Sequence, residues 1–183
     1  MSEKFKIRNP EGIYFTTLTI VYWIDLFERV ELKHLIVDAL KFYQKQKGLI
    51  IHAWCLMSSH LHLIISSSNS YNLSDFFRDY KKYTSREIIQ IINNINESRK
   101  DWLLDAFYKA GKDLKRIKNY KVWQDGNQPK ELITNWFIDQ KLDYVHNNPV
   151  TAEIVDEPHY YLYSSARDYA GIKGLLDVEI IEY

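Results

Sequence analysis

Between residues 13 and 94 the apolar positions change their period repeatedly, and each change marks an element. Ile13–Tyr22 (IYFTTLTIVY) is rich in β-branched and aromatic residues and apolar on both faces, which predicts a central strand. From Glu31 to Gln46 the apolar residues Leu32, Leu35, Ile36, Ala39, Leu40 and Tyr43 fall at helical spacing, and Gly48 is suited to end that helix. Leu49–Met57 reads as a second strand, Ser58-Ser59 as a tight turn and His60–Ser66 as a third strand, together a hairpin. After the polar run SSSNSYN, a helix is expected from Leu73 to Asn94, with Leu73, Phe76, Phe77, Tyr80 and Thr84 on its apolar face. Residues 95–113 suggest a short extra helix or an insertion, and Asn119–Gln124 (NYKVWQ) a fourth strand broken by Asp125-Gly126. A third long helix is expected from Lys130 to about Asn147, stopped by Pro149.

Strand-helix-strand-strand-helix-strand-helix is the order of an α+β, ferredoxin-like palm (the arrangement of RNA-recognition modules): an antiparallel sheet with helices on one face. At 183 residues the chain suits one domain, with residues from about 150 to 183 as a C-terminal extension.

Within the apolar hairpin, His60 and His62 are two apart, so on a strand both imidazoles point to one face while Leu61, Leu63 and Ile65 point to the other. Such a pair offers a divalent metal two ligands at fixed spacing, although half-exposed structural histidines would show the same pattern. On the third helix, Ile138, Leu142 and Val145 form one stripe, and Gln140, Tyr144 and Asn148 form another of an amide, a phenol and an amide. His146 falls on roughly the opposite side from Tyr144, which favours Asn148 as the partner of that phenol.

Charge adds a direction. The chain is neutral overall, but residues 1–72 carry a net +2, residues 73–124 a net +5 and residues 125–183 a net −7. Two readings are open from charge alone, a solvated helix face with an acidic tail or a phosphate-binding surface in the middle third, the latter from Arg78, Lys81, Lys82 and Arg86 on the second helix, with Lys115, Arg116, Lys118 and Lys121. Trp123 and Tyr83 are candidates for stacking on bases, although such aromatics more often belong to the core. Cys55 is the only cysteine, which fits a reducing cytosol, and the polar N-terminal MSEKFKIRNPEG lacks the apolar segment of a secretory leader. No apolar run is long enough to span a membrane.

HAWCLMSSHLHLII resembles the His-hydrophobe-His strand of IS200-type single-tyrosine transposases, and DYVHNNPV resembles the tyrosine-helix end of their REP-associated relatives. KYTSREI, VWQDG and YSSARDYAG are similar to further segments of that group, so the resemblance runs from about residue 11 to 172. Two departures are visible: Ser58-Ser59 where Pro-Asn often precedes the first histidine, and the added length around 95–113. The resemblance implies an endonuclease fold of the HUH type, with His60, His62 and Asn148 as metal ligands and Tyr144 as nucleophile. The classical enzymes carry Gln where Asn148 stands.

It also implies the function: a Mg²⁺- or Mn²⁺-dependent enzyme that cleaves single-stranded DNA beside a hairpin, holds the 5′ end on tyrosine and rejoins ends. It implies action in the cytoplasm on the nucleoid, by a monomer rather than a homodimer. Three rivals follow from the same residues. One is a non-catalytic or host-domesticated DNA-binding protein of this fold. A histidine phosphoesterase would need a further aligned histidine where Ile64 stands, and an RNA-recognition module would need an aromatic signature that is missing.

Overall fold

The computed structural model describes residues 7–68, 71–117 and 119–182. Its centre is a four-stranded antiparallel sheet in the order β2-β3-β1-β4, where β1 is Tyr14–Thr19, β2 Leu49–Leu56, β3 His60–Ser67 and β4 Lys130–Glu131. β2 and β3 form the expected hairpin, closed by a bond from the Met57 N–H to the His60 carbonyl at 2.8 Å. β3 is flanked on both sides, by β2 and β1, and is buried along nearly its whole length. Its near-continuous apolar sequence is the consequence.

Helix α1 (Val30–Lys47) runs between β1 and β2 and ends at Gly48, which adopts φ +69° and donates its N–H to the Tyr43 carbonyl. That left-handed cap is cheap only for glycine. Helix α2 (Leu73–Asn94) starts at Asn72, whose side chain accepts from the Ser74 N–H, and buries Leu73, Phe76, Phe77, Tyr80, Thr84, Ile88 and Ile92. α1 and α2 pack on each other, with the Tyr80 hydroxyl donating to the Ile36 carbonyl. Leu61, Leu63 and Ile65 are buried in the same core on the face away from the histidines.

Four expectations need correcting. Asn119–Gln124 does not form a ladder: it runs beside the end of β1 with one isolated bridge, Ile20 to Trp123, and the fourth strand is the two-residue β4. The bonds from Val21 N–H to the Val122 carbonyl and from Gln124 N–H to the Thr19 carbonyl satisfy that stretch without a strand. The third long helix, α4, spans Asn135–Thr151, beginning later than Lys130 because Thr134 caps it by accepting from the Phe137 N–H. Pro149 does not stop α4 but lies inside its last turn, where the missing N–H costs a single bond near the end. α4 packs on β2 and β3 on the histidine face, so helices flank the sheet on both sides and not on one face as expected.

Residues 95–113 contain helix α3 (Lys100–Gly111), tied down by Glu97. The Glu97 carboxylate is buried and accepts from the Arg99 N–H at 3.0 Å, Arg99 Nε at 3.2 Å and Arg29 Nε at 3.1 Å. The Arg99 N–H, followed by the two guanidinium groups, holds its pKa down to about 2. A carboxyl with a depressed folded pKa contributes stability above its unfolded value and loses it as pH falls toward the folded one. Glu97→Gln is thus expected to cost about 2 kcal/mol at pH 7. In urea melts that difference should close between pH 4.5 and 2; a gap independent of pH would contradict the ion-pair account.

The chain after α4 returns along the free edge of β2. The Leu56 N–H donates to the Tyr163 carbonyl, Ser165 N–H to the Trp54 carbonyl and Glu179 N–H to the Ile51 carbonyl. The short helix α5 (Ala166–Tyr169) follows that contact. These bonds cover an edge that would otherwise offer a template for aggregation.

Candidate functional site

Antiparallel register puts Thr17 opposite His62 and Thr19 opposite His60, so Phe15, Thr17, Thr19, His60 and His62 share one face. The two imidazole rings lie 4.6 Å apart, centroid to centroid. The expected same-face placement on one antiparallel strand is what the structure shows.

Each ring is held by a hydroxyl. His62 Nδ1 shares a 2.9 Å hydrogen bond with Thr17 Oγ1, and His60 Nδ1 shares one of 3.1 Å with Ser59 Oγ. His62 Nε2 is buried and has no protein partner. A buried, unpaired ring nitrogen costs free energy unless something binds it. With the proton on Nδ1 toward Thr17, Nε2 presents its lone pair, the form that ligates a metal. Burial, followed by His60 and Lys141, pushes the His62 pKa down to about 3, so the ring is neutral at neutral pH. Burial also lowers the pKa of His60, opposed by the nearby Asn148 amide and by Asp25.

α4 supplies the rest. The Asn148 side chain lies near enough to the His60 imidazole to raise its pKa. The Tyr144 ring meets His62 edge-on at 5.1 Å and Phe15 at 5.9 Å, and is 48% exposed, open to an incoming molecule. Because Asn148 remains helical, it lies one turn beyond Tyr144 on the same stripe. His146 points elsewhere, as the wheel predicts: its Nε2 bonds Ser165 Oγ at 2.8 Å and its ring packs on Tyr169. Burial takes its pKa down to about 4.

The donor set of two imidazoles and an amide suits a divalent cation, and the orphaned Nε2 fits that role. Among the described residues there is no group of three or more His, Cys, Asp or Glu that could hold a metal. A site here would rest on Asn148 as the third protein donor.

Three neighbours escape sequence reasoning. Lys141 lies one turn before Tyr144 with Nζ 5.1 Å from the Phe15 ring centre and 5.4 Å from those of Phe137 and Tyr144. Its pKa is lowered by burial and then by Lys130. Three-residue spacing from Tyr144 was a legible signal for it. Thr17 becomes visible only through strand register. Trp23, whose ring meets His60 edge-on at 5.4 Å, carries no sequence mark.

The expected phosphate-binding cations are dispersed. Arg78 pairs with Asp75 and Asp79, and Arg86 with Glu87 while lying over the exposed Tyr83 ring. Lys82 and Lys115 are exposed. Arg116 and Lys121 both bind Asp125. Lys81 donates to the Gln124 carbonyl at 2.9 Å, and burial brings its pKa down to about 8. Lys118 lies outside the described residues. The expected role of Trp123 meets a physical obstacle: at 4% exposure it packs on Phe27 and donates Nε1–H to Thr84 Oγ1 at 2.9 Å, so its faces belong to the core.

The antiparallel sheet with its same-strand histidine pair agrees with the fold that the resemblance to HUH-type tyrosine nucleases implies. Residues 18–126 match the family model "Transposase IS200 like", well over half the chain, and the protein belongs to that family. The match includes the histidine strand and stops short of α4. Among solved structures, a REP-associated tyrosine transposase bound to a REP hairpin aligns with 100% of this chain and 95% of its own, at 18% identity and a TM-score of 0.62. It shares the fold. A proposed transposase from Deinococcus radiodurans R1 aligns over 80% of this chain and 97% of its own, at 14% identity and a TM-score of 0.45. No curated protein matches the sequence. Family membership supports an enzyme of transposase-like, HUH nuclease type and suggests metal dependence. Among the described residues no helix is long and apolar enough to cross a membrane.

Proposed function

We propose that this protein cleaves and rejoins single-stranded DNA at hairpin-associated sites, with Tyr144 as nucleophile and a divalent metal held by His60, His62 and Asn148. The observation that carries this reading is the buried, unpartnered Nε2 of His62, on a ring lying 5.1 Å from that of Tyr144. When bound, Mg²⁺ or Mn²⁺ would polarise a phosphoryl oxygen; the mixed nitrogen and oxygen donors favour Mn²⁺ in affinity, and cellular abundance favours Mg²⁺.

Thr17 and Ser59 orient the two imidazoles, and Asn148 adds an amide from α4. The Tyr144 oxygen attacks phosphorus as the bond to the 3′-oxygen breaks; the 3′-oxygen leaves as a hydroxyl and a 5′-phosphotyrosine remains. A 3′-hydroxyl from the same or another strand then attacks that ester and releases Tyr144. The ammonium of Lys141 offsets negative charge gathering at the phosphate. Of the cations expected to hold the DNA backbone, Arg78, Lys82, Arg86, Lys115 and Arg116 are exposed. Exposed ion pairs are weak, so Arg78 and Arg86 can exchange a carboxylate for a phosphate.

Tyr144, Asn148 and both histidines meet within one chain, which supports action as a monomer. The hairpin target is supported by the REP hairpin bound to the similar transposase. We read the chain as one catalytic domain with a C-terminal extension that braces the β2 edge, acting on nucleoid DNA in the cytoplasm.

The test is a pool of single-stranded hairpin oligonucleotides labelled at either end and incubated with Mn²⁺. A denaturant-resistant adduct should carry the 3′-end label, while the 5′-labelled fragment is released with a free 3′-hydroxyl. An adduct on the 5′-labelled fragment would overturn the polarity, and one formed in EDTA would overturn the metal. Hairpin binding without any adduct would make this a non-catalytic member of the family.

A further inference from the structure

Beside His60 the chain does something costly. Tyr22 and Trp23, just past β1, both adopt positive φ, 57° and 55°. This is a left-handed conformation that bulky residues rarely take, and the backbone is strained at both positions. The strain does not serve the core, since Tyr22 is 62% and Trp23 59% exposed. α3 stands opposite and brings Trp102, 55% exposed. Between them lies an open cleft of about 540 Å³ lined by Tyr22, Trp23, Asp25, Arg99, Trp102 and Lys109, among others. The cleft is braced: Arg99 donates to the Asp25 carbonyl at 2.9 Å, and Glu97 binds both Arg99 and Arg29.

The cleft favours a flat, neutral occupant over a phosphate, because its lining carries the carboxylates of Asp25 and Asp105 against the cations of Arg99 and Lys109 and so has no excess positive charge. Lys109 pairs with Asp105 at 2.6 Å, and Arg99 with Glu97 and Glu28. The Asp25 carboxylate accepts from Ser58 Oγ at 2.6 Å, in the turn that leads into His60. The cleft is continuous with the candidate active site, because the Trp23 ring touches that of His60. Anything held on Trp23 therefore lies beside the phosphate that the site would process.

We infer that Trp23, with Tyr22 and Trp102, forms a stacking ledge for an unpaired base next to the scissile phosphate, and that α3 is present to complete it. This rests on the single-stranded DNA reading above and assigns a positioning role, since stacking fixes the nucleotide while the histidine and tyrosine side chains do the chemistry. Rigid aromatic faces are sequence-tolerant platforms for unpaired bases.

The experiment measures equilibrium binding of fluorescein-labelled hairpin oligonucleotides with single-stranded flanks to Tyr144→Phe protein, so that no turnover is needed. Each flanking nucleotide is replaced in turn by an abasic residue. Trp23→Ala should weaken binding about five- to fiftyfold, and Trp23→Phe should recover most of it. At one flanking position the abasic substitution should cost wild-type Trp23 protein the same factor and cost Trp23→Ala protein nothing further. Trp102→Ala, on a separate element, should show the same non-additivity in smaller degree.

Binding unchanged in Trp23→Ala and Trp102→Ala proteins would overturn the ledge, as would a loss equal on every abasic oligonucleotide. Self-association of the protein lost in these variants, with DNA binding intact, would overturn it in favour of a protein contact. The adduct assay on wild-type protein separates the two levels: adduct with no ledge effect sinks only this inference. Absence of any binding to single-stranded flanks sinks the reading beneath it.

Discussion

Tyr144→Phe protein should fold normally and form no covalent adduct with DNA. The substitution removes one oxygen and keeps the ring that meets His62 at 5.1 Å and Phe15 at 5.9 Å. The residue is half exposed, so no core packing depends on the hydroxyl. If that oxygen is the nucleophile, adduct and strand transfer should both fall by more than about 10³-fold, because no other group can form the same ester. His146→Ala, two residues on, should leave the chemistry nearly intact. Its imidazole is committed to Ser165 and Tyr169, so the cost falls on stability, about 1–3 kcal/mol for the lost buried bond. Asn148→Ala should lie between, weakening cleavage and regaining part of it at high Mn²⁺. The ordering is checked by denaturing gels for adduct and thermal melts for folding. Adduct from Tyr144→Phe protein would move the nucleophile elsewhere. An inactive but well-folded His146→Ala protein would disprove the assignment of the two faces of α4.

His62→Ala protein should retain hairpin binding and lose metal-dependent cleavage by more than about 10²-fold, with His60→Ala similar. On the proposed reading, binding rests on dispersed exposed cations, whereas the two rings act at a single point. Calorimetric titration with Mn²⁺ gives a second readout that does not require turnover: wild-type heat should disappear in either variant. Thr17→Val keeps the shape of the side chain and removes the hydroxyl that orients His62. It should weaken Mn²⁺ binding about 10–100-fold, as losses of a ligand's orienting partner do. Equal Mn²⁺ affinity in wild-type and His62→Ala proteins would remove His62 from the ligand set and leave its buried Nε2 unexplained.

Local periodicity carried the histidine pair, the tyrosine and its amide partner a long way. Alternation along a strand and the 100° step of a helix are backbone geometry, indifferent to what packs against them. The same rules failed where an element's existence depends on partners. Asn119–Gln124 has strand-like residues, yet only Trp123 reaches a bridging partner at the end of β1. Lys130–Glu131 lack strand character and still become β4, because Tyr14 and Phe15 offer an open edge. Pro149 does not stop α4, which runs two residues further to Thr151, since a missing N–H within the final turn is a small loss.

What the sequence alone determined was therefore local: the hairpin, the three long helices apart from the ends of α4, and the sides on which His60, His62, Tyr144 and Asn148 lie. Tertiary structure decided which groups complete the site. Thr17 orients His62 because β1 pairs with β3 in one register out of several. Lys141 reaches Tyr144 and Phe15 because α4 crosses the histidine face. Trp123 and Trp23, equal as tryptophans in sequence, part ways entirely. One is sealed against Phe27 and Thr84, and the other is turned outward beside His60 by a strained backbone. Burial is a property of the assembled layers, and no pattern within a few residues encodes it.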